Sequence, residues 1–325
     1  MRRMLLWFTL SGLLGLCYFV LACSTGGNGS PQQQQEVYLV VVNFAGKSVT
    51  VYKATDNGDT APLRTIIGAN TSITEPFGVA VHPSTKDIYL GDYTDLDVSV
   101  FNFMDDGNVA PKRQFSSVDF NGTSRLAFNE SASEIFVANE GYGIVVMDAS
   151  ASGTHAALRK ISGASTNLSS TDGMALDIAR SEFFVTSGGN SSVHVFNLND
   201  DGDVAPKRTI SGASTGFDYP IDVAIDQEQD EIIVFDVEAS SIFFFNRTDT
   251  GNVAPKRTIS GGLTGIETSN GGMAVDFDLG EIFIAQLSKV LVFNLTDNGD
   301  VAPKRTIEGD GTGLSVAVSV ALAQK

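Results

Sequence analysis

Read for its alternation of apolar and polar positions, the chain from Val37 onward is a succession of short strands punctuated by turns. One stretch shows the grammar. Glu182–Val185 is a short apolar run, Ser191–Phe196 alternates apolar and polar, Lys207–Ile210 is a third strand and Asp222–Asp226 a fourth. The segments Ser187-Gly188-Gly189-Asn190, Asn199–Gly202 and Ser211-Gly212 separate them with the residues that favour turns. No capped amphipathic helix of ordinary length interrupts the series, which removes the α/β alternatives.

The unit repeats. DGNVAPKR at Asp106–Arg113 returns as DGDVAPKR from Asp201, TGNVAPKR from Thr250 and NGDVAPKR from Asn298, and more loosely as NGDTAPLR from Asn57 and SGTHAALR from Ser152. The marker glycines Gly58, Gly107, Gly153, Gly202, Gly251 and Gly299 are spaced by 49, 46, 49, 49 and 48 residues, the period of a propeller blade. We letter the strands of a blade a to d from the axis outward. The first strand, Val37–Val42, is of type b and the last, Leu314–Leu322, of type a. A C-terminal strand a therefore completes the blade of Val37–Val42, Ser48–Tyr52 and Leu63–Ile66, so that no sheet edge of an open array is left to cap. The expectation is an all-β, six-bladed β-propeller of four-stranded antiparallel blades over residues 37–325. Alanines at the second core position of strand a, Ala80, Ala127, Ala175, Ala224, Ala274 and Ala317, suit a crowded axis. Phe101, Phe196, Phe245 and Phe293 on strands c suit the widening space between blades.

GVAVH from Gly78, GMAVDFDLGEIFIA from Gly272 and VLVFN from Val290 resemble the NHL and YVTN-type six-bladed propellers, over Val37–Ala323. That resemblance implies an adhesion or scaffold module, a ligand sensor, or a metal-dependent lactonase or lyase.

The N-terminus reads as an address. Arg2 and Arg3 precede an apolar run from Met4 to Ala22, and Val20-Leu21-Ala22-Cys23 resembles a bacterial lipobox. Residues 1–22 would be a lipoprotein signal peptide, Cys23 the lipidated residue and 23–36 a flexible tether. The lipoprotein resemblance implies that Ser24, directly after the cysteine, goes with outer-membrane sorting in the envelope of a two-membrane bacterium. Both cysteines, Cys17 and Cys23, and the single tryptophan, Trp7, then belong to the leader or anchor, leaving the propeller without thiol or indole.

Composition narrows the partners. At 42% hydrophobic residues the chain can bury a core, and a formal charge of −17 works against nucleic acid and anionic lipid. The expected partner is a protein or small-molecule ligand, the membrane is reached by the lipid alone, and the chain is expected to be a monomer.

For chemistry, the resemblance directs attention to the channel mouth, where the loops entering strands a meet those leaving strands b. The residues just before strand a align as Gly78, Arg125, Gly173, Asp222, Gly272 and Ser315, and those ending strand b as Asn43, Asp92, Asn139, Ser187, Asp236 and Gln286. Arg125, Asp172, Asp222, Asp92, Asn139 and Asp236 are thus candidates for a ligand-binding rim, with Asp222, Asp236 and Asp92 as possible oxygen ligands to calcium. Asx turns at strand ends are the bland reading of the same residues. The histidines, His82, His155 and His194, fall in different blades and contexts, which disfavours a histidine metal triad or a Ser/His/Asp relay. Two functions remain: a non-catalytic binding module, and a metal-dependent lactonase-like hydrolase or lyase with Arg125 as an anion clamp.

Overall fold

The computed structural model describes residues 36–141 and 143–324; the leader, Cys23 and the tether up to residue 35 lie outside the described residues. Six four-stranded antiparallel blades form, and the first is closed by the last strand, in the order Ala317–Gln324, Val37–Asn43, Ser48–Lys53, Arg64–Ile67. Ring closure is thus by main-chain pairing, from Val37 opposite Gln324 to Asn43 opposite Ala317.

That pairing corrects one alignment. In the second blade Asp92, Gly91 and Tyr89 face Pro76, Gly78 and Ala80, whereas in the first Asn43, Val42 and Val40 face Ala317, Ser319 and Ala321. The residues equivalent to Gly78 and Ala80 are therefore Ser319 and Ala321, not Ser315 and Ala317. The turn before the last a strand, in which Thr312 donates to the Gly309 carbonyl as Thr215 does to that of Gly212, agrees with that register: Ser319 follows Thr312 by the interval at which Asp222 follows Thr215.

Apolar clusters fill all six wedges between neighbouring blades. Phe101, Phe196, Phe245 and Phe293 are fully buried there, as their positions on strands c require.

The repeated marker is the seam between blades. Gly107 takes φ 72°, which a glycine adopts without strain, and its N–H donates to the Thr65 carbonyl of the preceding blade at 2.7 Å. Asp106 accepts from Thr65 N–H at 2.8 Å and Asn108 from Asn70 N–H at 2.7 Å. The same seam recurs at Gly202, Gly251 and Gly299, and Gly58 closes the ring onto Thr306. In the last four copies the closing arginine of the marker pairs with a glutamate opening strand b of its own blade, as Arg305 does with Glu281 at 2.7 Å. It also reaches the next blade, where Arg305 donates to the Ala54 carbonyl at 2.6 Å. The oxygens of Asp106 and Asn108 in this loop are therefore engaged in blade-to-blade hydrogen bonds. In the third copy Ser152 replaces the acidic residue, and Gly153–Thr154 instead pair as a short parallel strand with Phe115 and Ser116.

Candidate active site at the axis

The six residues at the Gly78 level of the a strands meet on the axis, and only two of them carry long polar side chains. Arg125 and Asp222 face one another, Nε to Oδ2 at 3.5 Å, with the residues 6% and 8% exposed. The Arg125 guanidinium also donates to the carbonyls of Gly271 and, at 3.3 Å, Phe77. Asp222 accepts the N–H of Met273 at 2.9 Å and of Val223 at 3.0 Å. Burial pushes the Asp222 carboxyl up, while Arg125 and these two N–H groups pull it back. Between them the two side chains tie together the second, third, fifth and sixth blades. Their neighbours must be small: a Cβ on Gly78 would lie 1.5 Å from the Ser124 carbonyl oxygen, and one on Gly173 would lie 2.4 Å from Asp222 Cα. What looks in sequence like drift of two copies from a glycine consensus is a cross-brace with room made for it.

The pair lies between two cavities. On the side of the strand-a and strand-c turns, a cavity of about 320 Å³ is lined from all six blades, among others by Val79, Leu126, Met174 and Val320. On the opposite face a cavity of about 270 Å³ has Arg125 and Asp172 at its base. Its walls are aromatic and acidic: Phe44, Phe77, Tyr93 and Tyr219, with Glu75 and Glu140. Asp172 is 9% exposed, and its carboxylate has no hydrogen-bond partner among the described residues. Burial pushes it up to about 7; Arg125 opposes that shift, and Glu140 and Asp222 add to it.

Of the residues proposed from sequence, Arg125, Asp172 and Asp222 converge here. Asp92, Asn139 and Asp236 do not line the cavity. Asp92 accepts N–H groups of Thr74 and Glu75, each at 2.9 Å, and of Thr94 and Asp95. Asp236 accepts from Asp218, Tyr219 and Ala239 at 2.8 to 3.0 Å, and Asn139 accepts from Asn121 at 2.5 Å. Asn43, Ser187 and Gln286 hold the equivalent loops of the other blades. All six strand-b ends thus clamp the loop that leads into strand a by accepting its backbone N–H groups, a structural role.

Calcium finds a poor fit among Asp222, Asp236 and Asp92. The oxygens of the last two already accept several donors each, and Asp222 is paired with a guanidinium. Among the described residues no three His, Cys, Asp or Glu side chains are grouped to hold a metal ion. The histidines stay apart. His82 caps its own turn, His155 is exposed, and His194 sits between the hydroxyls of Ser192 and Thr209, each at 2.9 Å, where burial holds it down at about 4.

The aromatic wall and both glutamates escape a search for the residues that end strand b, yet they lie beside them. Phe44, Tyr93 and Glu140 each follow such a residue by one, and Glu75, Tyr219 and Phe77 stand three or one before the axial position. The main chain joins the two sets across the rim, Tyr93 N–H to Glu75 carbonyl at 2.9 Å and Glu140 N–H to Gly122 carbonyl at 3.0 Å. Comparing the copies one residue off the strand ends is the signal that finds them.

Residues 30–262 match the family described as lactonase, 7-bladed beta-propeller. The chain belongs to this family. It departs from that description in closing its ring with six blades. In structure it is similar to a chain of a nidogen/laminin complex, with TM-score 0.63 and 11% identity over 88% of this chain and 98% of that one. It is also similar to the WD40 β-propeller domain of Doa1, with TM-score 0.56 and 12% identity over 85% and 84%. At such identities these likenesses speak for the fold alone. No curated protein matches in sequence.

Proposed function

We propose that this lactonase-family propeller binds a small cyclic ester in the cavity above Arg125 and hydrolyses it. The observation that carries the reading is Asp172: a buried carboxyl without a hydrogen-bond partner among the described residues, lining an axial cavity and pushed by burial up to about 7. Such a group is a general base in reach of working pH. Its carboxylate takes a proton from water as the water oxygen bonds to the lactone carbonyl carbon. Collapse of the tetrahedral adduct breaks the ring C–O bond, and the departing alkoxide recovers the proton from Asp172. Arg125, fixed by its backbone acceptors, places positive charge under the developing oxyanion. The product is a hydroxy acid, and its new carboxylate faces Glu75 and Glu140, a repulsion that favours release.

The test is alkali uptake in a pH-stat against a panel of five- and six-membered lactones. Asp172→Asn should lower turnover by about 10² to 10⁴-fold. In the wild type, kcat/KM should rise with pH through about 7 and then level, because the base works deprotonated and its carboxyl is held up to about 7. Turnover by Asp172→Asn equal to wild type would remove the reading.

A second reading is a non-catalytic binding module, and it is favoured by the engagement of the rim residues in structural hydrogen bonds. The similar chain from the nidogen/laminin complex is a precedent for a propeller in a protein complex. Absence of turnover on every lactone, together with ligand-induced stabilisation that Asp172→Asn alters, would select it.

In either case we place the domain in the cell envelope on a lipid carried by Cys23. Cys23→Ala should move the protein from the membrane to the soluble fraction on cell fractionation. Retention of the variant at the membrane would exclude lipid anchoring at this residue.

A further inference from the structure

The cavity above Arg125 has the wrong sign for an anionic ligand. Its one lining cation, Arg125, is engaged by Asp222 and by the carbonyls of Gly271 and Phe77. Three carboxylates share the remaining wall: Glu75, Glu140 and Asp172. No lysine stands among the described lining residues, so Arg125 alone opposes the three carboxylates. The chain as a whole, at −17, adds a field of the same sign.

Most of the remaining wall is aromatic, with Ile221, Asn270 and Gly271 beside the rings, and the rings are held in place, Phe77 with the Arg125 guanidinium 5.6 Å from its centroid. Phe77 and Tyr93 lie with centroids 6.1 Å apart and planes inclined at 47°. Hydrogen bonding to Glu140 raises the Tyr93 phenol above its ordinary value, which keeps it a neutral ring at working pH. Tyr219 lies over Gly188, where any Cβ would come within 2.6 Å of the ring. Ring faces attract cations through their quadrupole, and adjacent carboxylates reinforce the attraction in a site partly shielded from water.

We infer that the cavity selects a small organic cation, an alkylammonium or quaternary ammonium compound, seated against the rings of Phe77, Tyr93 and Tyr219 with Glu75, Glu140 and Asp172 balancing its charge. The inference rests on this cavity being the ligand site proposed above, but not on turnover. If the ligand is a lactone, it is one that carries an ammonium group on its ring. A volume of about 270 Å³ suits a small compound.

The test is titration calorimetry on the full-length chain with choline and with its uncharged isostere 3,3-dimethylbutan-1-ol. Choline should bind at least about tenfold more tightly than the isostere, and less tightly as salt is raised. Tyr93→Leu and Tyr219→Leu should each weaken choline by about fivefold or more, whereas Tyr93→Phe and Tyr219→Phe, which keep the ring, should hold most of the affinity. Glu140→Gln should weaken choline and flatten the salt dependence without changing the isostere. Equal affinity for the two compounds, no choline binding up to about 10 mM, or tighter binding of a hydroxy-acid anion would each overturn the inference. Choline preference without hydrolysis of any lactone would support it while counting against the hydrolase, so the two proposals fail separately.

Discussion

Arg125→Leu is expected to lower the unfolding free energy by about 3 to 5 kcal/mol at neutral pH, the cost of leaving one partner of a buried ion pair charged and alone. The partner is Asp222, which keeps the Met273 and Val223 N–H groups but loses the guanidinium. Loss of Arg125 also frees the carbonyls of Gly271 and Phe77, so that four blades lose a common tie. The deficit should shrink as pH falls. Burial already raises the Asp222 carboxyl and Arg125 opposes that rise; without Arg125 the folded-state value climbs further. A group whose folded value is raised adds stability below its unfolded value and loses that contribution as pH rises through the folded value. The penalty is therefore largest above the folded value and smallest near pH 4. Adding Asp222→Asn to Arg125→Leu should recover part of the loss at neutral pH, since a neutral amide costs less to bury than a carboxylate. Urea unfolding at two pH values measures all three variants. A single-variant loss under about 1 kcal/mol that does not change with pH would show that the brace contributes little.

Ending the chain after Val316 is expected to abolish cooperative folding. The deletion removes the innermost strand of the first blade, Ala317–Gln324, and bares the edge of Val37–Asn43 along its whole length. Val40 and Val42, both fully buried, lose a wall, and the ring closure is reduced from a full strand pairing to the main-chain bonds of Gly58 with Thr306 and Glu308. An unpaired apolar edge of that length is a template for association. Far-UV circular dichroism with thermal melting and size-exclusion chromatography should report a broad transition and aggregated material. Removal of Gln324 and Lys325 alone, which takes away one pairing at the strand end, should leave the melt sharp. A truncated chain that stays monomeric and melts cooperatively would mean that the other blades suffice.

Both results depend on features that differ in how far they can be read from the residues alone. The blade count follows from Gly58, Gly107, Gly153, Gly202, Gly251 and Gly299, because a glycine at φ near 70° to 80° whose N–H must reach the preceding blade leaves a mark in every copy. Closure follows from the strand types at the two ends, and the buried phenylalanines of strands c from alternation. These are local requirements that each copy meets in the same way, so repetition makes them legible.

Register and chemistry were settled elsewhere. Ser319 rather than Ser315 stands at the Gly78 level, as pairing with Val37–Asn43 shows; the turn at Gly309–Gly313 carries the same register locally, but only when it is aligned with Gly212–Gly216. Arg125 and Asp222 are 97 positions apart in the chain, and nothing local to either states that they meet. Asp92 and Asp172 look alike as candidates in the sequence. Folding gives one of them a shell of backbone N–H donors and leaves the other unpartnered against the cavity. The repeat encodes contacts that every blade makes, whereas a site on the axis is made once, from one to three side chains of each blade, and exists only when the ring has closed.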